Sequence, residues 1–169
     1  MTMKQFTNEA TQQMLADFDK SPFSDADLAA MDVDARQIIE QNAERDRQHP
    51  VTAIWRVAVE GSLTARGGVV TAVDSARVMD LGNGQMVKIA VEGDAVTYTD
   101  GSSARIVSSA GQKATHFEKG LALVGSVLDN GDEIVSTPQD RLVLLSRKGM
   151  AEAPDFLAIP GGVTHGVSN

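Results

Sequence analysis

The feature that most constrains the fold of this chain is a short segment that occurs three times at a fixed interval. The sequence VAVEGS at residues 57–62 returns as IAVEGD at residues 89–94 and, more loosely, as LALVGS at residues 121–126. The glycines of successive copies are 32 residues apart. A fixed period of this size indicates equivalent structural units rather than a chain organised around one motif.

The residues around each copy alternate between apolar and polar, which predicts short β-strands. Turn-forming residues separate the strands, and Gly82-Asn83-Gly84 in particular is predicted to close a hairpin, since Asn-Gly supplies the positive φ angles that primed turns require. One hairpin cannot bury a core in water, but three hairpins with an aliphatic face can. We therefore expect a mainly β fold, a compact cone of three hairpins related by a pseudo-threefold axis, with glycines where the chains converge. An open meander or a small barrel fits the strand pattern nearly as well.

The first 50 residues have a helical period instead. Thr7 is predicted to cap a helix that runs to about Lys20 with Phe6 in its apolar stripe, and Ser24 to cap a second helix that runs to about Gln48. We thus expect a helical hairpin at residues 1–50, a β-repeat domain at residues 51–146 and a Pro- and Gly-rich tail at residues 147–169. The helical hairpin either packs on its own domain or docks a partner, and we assign the tail no function.

Composition narrows the classes of partner. The net charge of −8 argues against nucleic-acid binding through a basic surface and against attraction to an anionic membrane. No run approaches the roughly 20 apolar residues of a membrane span, and no apolar segment near the start is typical of a signal peptide. We expect a chain made in the cytoplasm that leaves the cell only if a machine carries it.

The repeats resemble the PAAR-repeat family. The resemblance rests on residues 58–70, 90–94 and 117–126, and it covers roughly residues 54–138. It implies a conical tip that caps the trimeric valine–glycine-repeat spike of a type VI secretion system or a related contractile machine, with one tip per trimer. It also implies that the N-terminal extension carries an effector or adaptor. The predicted turn and partner-interface residues are Gly61, Gly67, Gly68, Gly93 and Gly125.

The chain departs from that family at its metal site. Members of the family usually bind one metal through histidines and a cysteine, often in a Thr-x-His-Gly-Gly stretch. Residues 64–68 match this stretch except that Arg66 stands at the histidine position, and the chain has no cysteine. We therefore expect no metal or other cofactor. As a hypothesis, Arg66 pairs with Asp100 or Asp129 at the apex in place of the ion. The histidines, His49, His116 and His165, are dispersed along the chain.

No arrangement of residues predicts catalysis. The acids Asp129, Asp132 and Glu133 are typical of solvated turn chemistry, and no serine lies in a nucleophile elbow. We expect a structural protein rather than an enzyme, although the extensions leave toxin or hydrolase activity open. The alternative is a small-molecule or peptide-binding β module with a helical regulatory hairpin. A metal-dependent or hydrolytic enzyme is the third reading.

Overall fold

The computed structural model describes residues 4–72 and 77–159. These residues divide into two compact units. The β unit contains residues 4–8, 55–72, 77–144 and 152–159, and the helical unit contains residues 9–54 and 145–151. No helix in the described part is long and apolar enough to span a membrane.

The helical unit contains three helices, α1 (Gln12–Phe18), α2 (Asp25–Ala30) and α3 (Val33–Gln48). Ser24 caps α2 as predicted, and its hydroxyl forms a reciprocal capping box with Asp27. The predicted cap at Thr7 is wrong, because Thr11 accepts the hydrogen bond from the first turn of α1. The prediction of one continuous helix from Ser24 to about Gln48 is also wrong, because α2 and α3 are separate helices. The Asp32 carboxylate accepts a 2.8 Å hydrogen bond from the Ala35 N–H, and this new cap starts α3.

Phe6 does not belong to a helical stripe, as the sequence period suggested. It forms an antiparallel bridge with Thr137, with N–H to O=C distances of 2.7 and 2.9 Å. Asn8 continues this attachment, since its side chain bonds the Val124 carbonyl at 2.7 Å and the Arg56 N–H at 2.7 Å. The first described residues are therefore part of the β unit.

The strands are short and antiparallel. They are β1 (Val51–Arg56), β2 (Leu63–Thr64), β3 (Val69–Ala72), β4 (Val78–Asp80), β5 (Met86–Lys88), β6 (Ala95–Thr97), β7 (Ser103–Arg105), β8 (Thr115–His116), β9 (Lys119–Gly120), β10 (Ile134–Ser136) and β11 (Val143–Arg147). A short 3₁₀ helix, Gly111–Lys113, precedes β8. The paired strands outside the main sheet are β1 with β11, β4 with β5, and β8 with β9.

The main sheet closes on itself. Its strand order is β10-β2-β3-β6-β7, and every pairing is antiparallel. Beyond β7, Ile106 bridges Leu128, and Val127 bridges Glu133 immediately before β10. The sheet therefore forms a ring of three hairpins, and closure removes the free edges that a small open sheet would expose.

The three repeated segments form a second, inner ring. The Ala58 N–H donates to the Ala122 carbonyl at 2.8 Å, Ala122 donates to Ala90 at 3.0 Å, and Ala90 donates to Ala58 at 3.0 Å. All three alanines are fully buried. One hydrogen bond from each copy to the next is the pattern expected of a threefold axis, so the pseudo-threefold arrangement predicted from the period is confirmed. We call these three residues the alanine ring.

Each copy then turns in the same way at its glycine. The φ angles are 93°, 96° and 109° at Gly61, Gly93 and Gly125, a region that glycine adopts without steric cost. In every copy the side chain after the glycine accepts a hydrogen bond from the N–H three residues earlier. The pairs are Ser62 Oγ with Val59 at 3.0 Å, Asp94 Oδ2 with Val91 at 2.8 Å, and Ser126 Oγ with Leu123 at 2.9 Å.

The core consists of two aliphatic clusters in the β unit. One includes the alanine ring together with Val70, Val96, Ala104, Ile106, Val124, Leu128 and Ile134. The other includes the residues that alternate with the alanines, namely Val57, Val59, Ile89, Val91, Leu121 and Leu123, and also Val87, Ala110, Phe156 and Leu157. The apolar run of the C-terminal segment thus packs on the core of its own unit. The prediction of a mainly β, compact fold preceded by helices is confirmed.

The predicted closure of a hairpin at Gly82-Asn83-Gly84 is confirmed, but the φ angles of this turn differ from the prediction. The hairpin forms, with Val78 opposite Lys88, but positive φ angles occur at Gly82 and Gly84 and not at Asn83. The Asp80 carboxylate accepts hydrogen bonds from the N–H groups of both glycines, at 2.7 and 3.1 Å. This side chain stabilises the Gly82-Asn83-Gly84 loop with positive φ angles at its two glycines, in place of the primed turn that Asn-Gly favours.

Candidate functional site: the hairpin tips

The three hairpins of the closed sheet end in equivalent tight turns. Gly67, Gly101 and Gly131 have φ angles of 88°, 88° and 87°. Each of their N–H groups donates to the carbonyl three residues earlier, at 3.1, 3.0 and 3.0 Å. We call residues 64–68, 98–102 and 128–132 the hairpin tips. The sheet order brings their side chains to one end of the ring.

One side chain from each hairpin contributes to a polar cluster there. The Tyr98 hydroxyl donates to Asp132 Oδ2 at 2.6 Å. The Thr64 hydroxyl accepts a 2.8 Å hydrogen bond from the Gly68 N–H, and it lowers the pKa of both Asp132 and Tyr98. We call Thr64, Tyr98 and Asp132 the tip cluster. The three residues belong to three different hairpins, and Asp132 joins them because it accepts from Tyr98 of the second hairpin and from the Arg66 N–H of the first.

Backbone groups complete the surroundings of the carboxylate. Asp132 Oδ1 accepts hydrogen bonds from the N–H of Glu133 at 2.8 Å and from the N–H of Arg66 at 3.1 Å. Only 2% of the Asp132 surface is exposed. The Asn130 amide donates to the Tyr98 hydroxyl at 3.0 Å, so that hydroxyl both donates and accepts. Buried polar groups that are bonded in this way rigidify a site instead of destabilising it.

These contacts fix the charge states of the cluster. Burial opposes the ionisation of Asp132, but hydrogen bonds from Thr64 and Tyr98 and from two backbone N–H groups outweigh it and lower the pKa of the carboxyl. Burial and the neighbouring carboxylate raise the pKa of Tyr98, against an opposing effect of the Asn130 hydrogen bond. At neutral pH the cluster therefore holds an ionised Asp132 and a protonated Tyr98.

Gly68 makes room for the cluster. A Cβ atom at this position would lie 2.5 Å from Val96 Cγ1 and 2.9 Å from Tyr98 Cε1. Here the expectation that glycine permits close convergence is correct. At Gly67 and Gly93 an added Cβ would meet nothing within 4 Å, so the positive φ angle is what requires glycine. At Gly125 an added Cβ would contact the Trp55 ring at 3.4 Å.

Arg66 lies at the tips but does not form the ion pair that we hypothesised. Its guanidinium donates to the Asn130 carbonyl at 3.1 Å, across from the first hairpin to the third. The Asp100 carboxylate instead accepts from the N–H of Ser102 at 2.9 Å. Asp129 accepts from the N–H of Arg105 at 3.1 Å, which joins the third hairpin to the second. Arg66 and Asp129 thus connect tips through backbone groups, whereas Asp100 stabilises only its own turn.

The tips do not fit the metal that the family resemblance implies. Both oxygens of Asp132 are already bonded to protein donors, and the remaining cluster side chains are a phenol and an alcohol. Among residues 4–72 and 77–159, no group of three or more His, Cys, Asp or Glu side chains is arranged to hold a metal. His116 contacts the Phe117 ring in a tilted geometry with ring centroids 4.4 Å apart, and His49 Nδ1 lies 2.8 Å from the Lys148 carbonyl. His165 lies outside the described residues.

The sequence contained a signal for the tip cluster that we did not use. Thr64 and Tyr98 both lie three residues before a tip glycine, and Asp132 directly follows one. Tyr98 is also the only tyrosine in a chain that is poor in aromatic residues. A lone tyrosine next to a hairpin turn is a candidate for a buried hydroxyl that needs a partner. The partner lies 34 residues away, so local pattern alone does not identify it.

Comparisons with protein-family models, with curated proteins and with solved structures found no match to this chain.

Proposed function

We propose that this chain is a structural spike-tip protein that caps a trimeric valine–glycine-repeat spike of a type VI secretion system or a related contractile injection machine. In this proposal one chain sits on one trimer, and the helical N-terminal region carries an effector or adaptor. The chain is made in the cytoplasm and leaves with the machine. Its role is structural rather than catalytic.

The single observation that carries this proposal is the alanine ring. Three segments of one chain bond to each other in a cycle with near-equal distances of 2.8, 3.0 and 3.0 Å. A monomer with an internal threefold axis offers equivalent contacts to each subunit of a threefold partner, as closed symmetry requires.

The pseudo-symmetry continues into the strands that lead into each copy. The N–H groups of Val57, Ile89 and Leu121 donate to the carbonyls of Leu142, Arg77 and Ala114 at 3.0, 2.9 and 2.9 Å. The equivalence of the three repeats therefore extends beyond the alanine ring into the preceding strands. This supports an extended surface with threefold pseudo-symmetry. In this proposal the corners at Gly61, Gly93 and Gly125 shape that surface.

The test is the stoichiometry of a reconstituted complex. The full chain is mixed with a recombinant trimeric valine–glycine-repeat spike, and the mass of the complex is measured by size exclusion with light scattering. We expect one chain per trimer, because the internal threefold axis uses all three equivalent sites at once. A monomeric β-rich protein serves as the control partner. Three chains per trimer, or no complex, would contradict the proposal.

The exposed apolar side chains of the helical unit support its proposed role in carrying an effector or adaptor. None of its three helices contains a buried residue. The exposed fractions of Phe18 and Phe23 are both 38%, and that of Ile38 is 58%. Phe18, Phe23 and Ile39 line a cavity of about 280 Å³ between the end of α1 and α3. Exposed aromatic side chains beside a groove are typical of a surface that binds a partner.

This role is tested with paired variants of the full chain. Phe18→Ser with Phe23→Ser removes both exposed aromatic rings from the groove, whereas Ile38→Ser removes an exposed apolar side chain outside it. The readout is retention of a candidate effector on the assembled spike in a sizing experiment. We expect the double variant to lose the effector while it still caps the spike, and the Ile38→Ser control to retain both. If the wild type, the double variant and Ile38→Ser retain the effector equally, the groove does not bind it.

A further inference from the structure

We infer that Thr64, Tyr98 and Asp132 hold the three hairpin tips together without an ion, and that protonation of Asp132 releases them. This inference concerns the chain itself and does not depend on docking to a spike. It follows from the mismatch between the residues at the tips and the ligands that a metal needs.

The tip cluster lies where the three hairpins meet. A metal at the meeting point of three hairpins would take one or more ligands from each hairpin and so join them. Asp132 of the third hairpin does the same with hydrogen bonds, because Tyr98 of the second hairpin donates to it at 2.6 Å and the Arg66 N–H of the first donates to it at 3.1 Å. Arg66 adds a 3.1 Å hydrogen bond from the first hairpin to the Asn130 carbonyl of the third.

The surroundings of Asp132 leave a cation neither space nor free lone pairs. The Asp132 carboxylate accepts from two backbone N–H groups and from Tyr98, so a cation would have to displace protein donors. On the side of the cluster that faces Gly68, an added Cβ atom would lie 2.5 Å from Val96 Cγ1 and 2.9 Å from Thr64 Oγ1 and Tyr98 Cε1, so no further group fits there. Zinc usually takes four N, S or O ligands in tetrahedral geometry, which these groups do not provide.

The hydrogen bonds of the tip cluster depend on a single charge, that of the ionised Asp132 carboxylate. The donors around Asp132 are a phenol, an alcohol and two N–H groups, and all of them favour the ionised carboxylate. Protonation would turn one acceptor oxygen into a donor that faces other donors.

The other charged groups at the tips have different partners. The Arg66 and Arg105 guanidinium groups donate to the carbonyls of Asn130 and Gly93. Asp129 accepts from the N–H of Arg105, Asp100 accepts from Ser102, and Glu133 contributes its N–H to Asp132. The pH response of the cluster therefore depends on Asp132.

The direction of that response follows from the lowered pKa of Asp132 in the folded chain. A carboxyl whose pKa is lower when folded stabilises the fold above its unfolded pKa, which is about 4 for aspartate. This contribution is lost as the pH falls below that value towards the folded pKa. Acid, and not a chelator, is thus expected to loosen the tips.

The test is a double-mutant cycle of the full chain with Tyr98→Phe, Asp132→Asn and both together. Urea unfolding at pH 7 is followed by the fluorescence of Trp55, the only tryptophan and a residue of the β unit. A hydrogen bond to a charged group contributes enough that each single variant should raise the unfolding constant by roughly tenfold or more. Because the two residues share one bond, the double variant should lose clearly less than the product of the single effects.

A matched control comes from the same tips. Asp100→Asn changes a carboxylate that bonds only within its own turn, so its unfolding constant should stay within about threefold of the wild type. If Asp132→Asn fails to fold, Tyr98→Phe keeps the ring in place and measures the same bond. Fully multiplicative single effects would overturn the inference.

Two further measurements separate a metal from the cluster. A chelator should leave the urea midpoint of the wild type unchanged, and elemental analysis should find no metal in stoichiometric amount. Lowering the pH from 5 to about 3 should reduce the midpoint of the wild type more than that of Asp132→Asn. One tightly bound metal per chain that is lost in Asp132→Asn, or identical acid profiles of the two proteins, would contradict the inference.

Discussion

The two units of this chain reach their folded state by different means. In the β unit, residues far apart in sequence close two rings, and side chains such as Leu123 and Ile106 are at most 1% exposed. In the helical unit, the helices are specified by local caps at Thr11, Ser24 and Asp32, and none of them buries a residue. The β unit is therefore stabilised by long-range packing. In the helical unit the caps are local, and the long-range contacts of the helices include polar ones such as the Arg147 ion pairs with Asp19 and Asp46.

The largest expected difference between the units concerns buried leucine. Leu123→Ala leaves a cavity in a fully enclosed cluster and should lower the free energy of unfolding by about 2–5 kcal/mol. Leu28→Ala in α2 removes a half-buried side chain and should cost about 1 kcal/mol or less. Urea unfolding followed by Trp55 fluorescence and by helical circular dichroism measures both. Similar losses would mean that the helices also depend on an enclosed core.

A second pair of variants adds volume to each unit. Ala90→Leu introduces a large side chain into the alanine ring, where no surface is exposed, and should cost about 1–3 kcal/mol. Ala29→Leu makes the same change on the exposed surface of α2 and should stay within about 0.5 kcal/mol of the wild type. Urea unfolding measures both variants. An Ala90→Leu protein as stable as the wild type would show that the three copies do not pack tightly at their axis.

A third variant tests the corners of the β unit. Gly93 has a φ angle of +96°, so Gly93→Val forces a branched residue into a strained backbone and should cost about 1–2 kcal/mol or more. Asp129→Asn keeps an oxygen that can accept from the Arg105 N–H and should have a smaller effect. Thermal unfolding of both variants provides the measurement. Equal Tm values would contradict this view of the corners.

The smallest expected effect belongs to the helices. Ser24→Ala removes the capping box of α2 and should cost about 1 kcal/mol of local helix stability. The loss should appear in helical circular dichroism and in hydrogen exchange of α2. The Trp55 unfolding midpoint should stay unchanged, and a shift in that midpoint would show that the two units unfold as one.

The repeat period allowed the architecture of the β unit to be predicted, for a physical reason. A glycine with positive φ followed by a small acceptor side chain determines a turn locally, and three such turns at equal intervals determine equivalent units. The caps at Ser24 and the bases near the end of α3 were predictable for the same reason, since both depend on neighbouring residues. What depends on a few adjacent residues could be read from the sequence.

The errors lie where distant residues compete with local preference. Phe6 fits a helical stripe but bonds the backbone of Thr137, which is 131 residues away. Asn83 fits a primed turn with a positive φ angle, but the Asp80 side chain stabilises a loop in which only Gly82 and Gly84 have positive φ. The tip cluster was missed because Tyr98 and Asp132 are brought together only by closure of the sheet. The proposed Arg66 ion pairs failed because a backbone carbonyl of Asn130 satisfies the guanidinium.

The alanine ring has a consequence for the chemistry that a threefold axis can support. In a homotrimer, every residue near the axis is present in three identical copies, so a single acid there would mean three like charges in close proximity. Here the three units belong to one chain, and they place a threonine, a tyrosine and an aspartate around their common end. Because the three repeats differ in sequence, one negative charge can be stabilised by neutral donors near the axis. In a homotrimer, three identical charges at that position would repel one another.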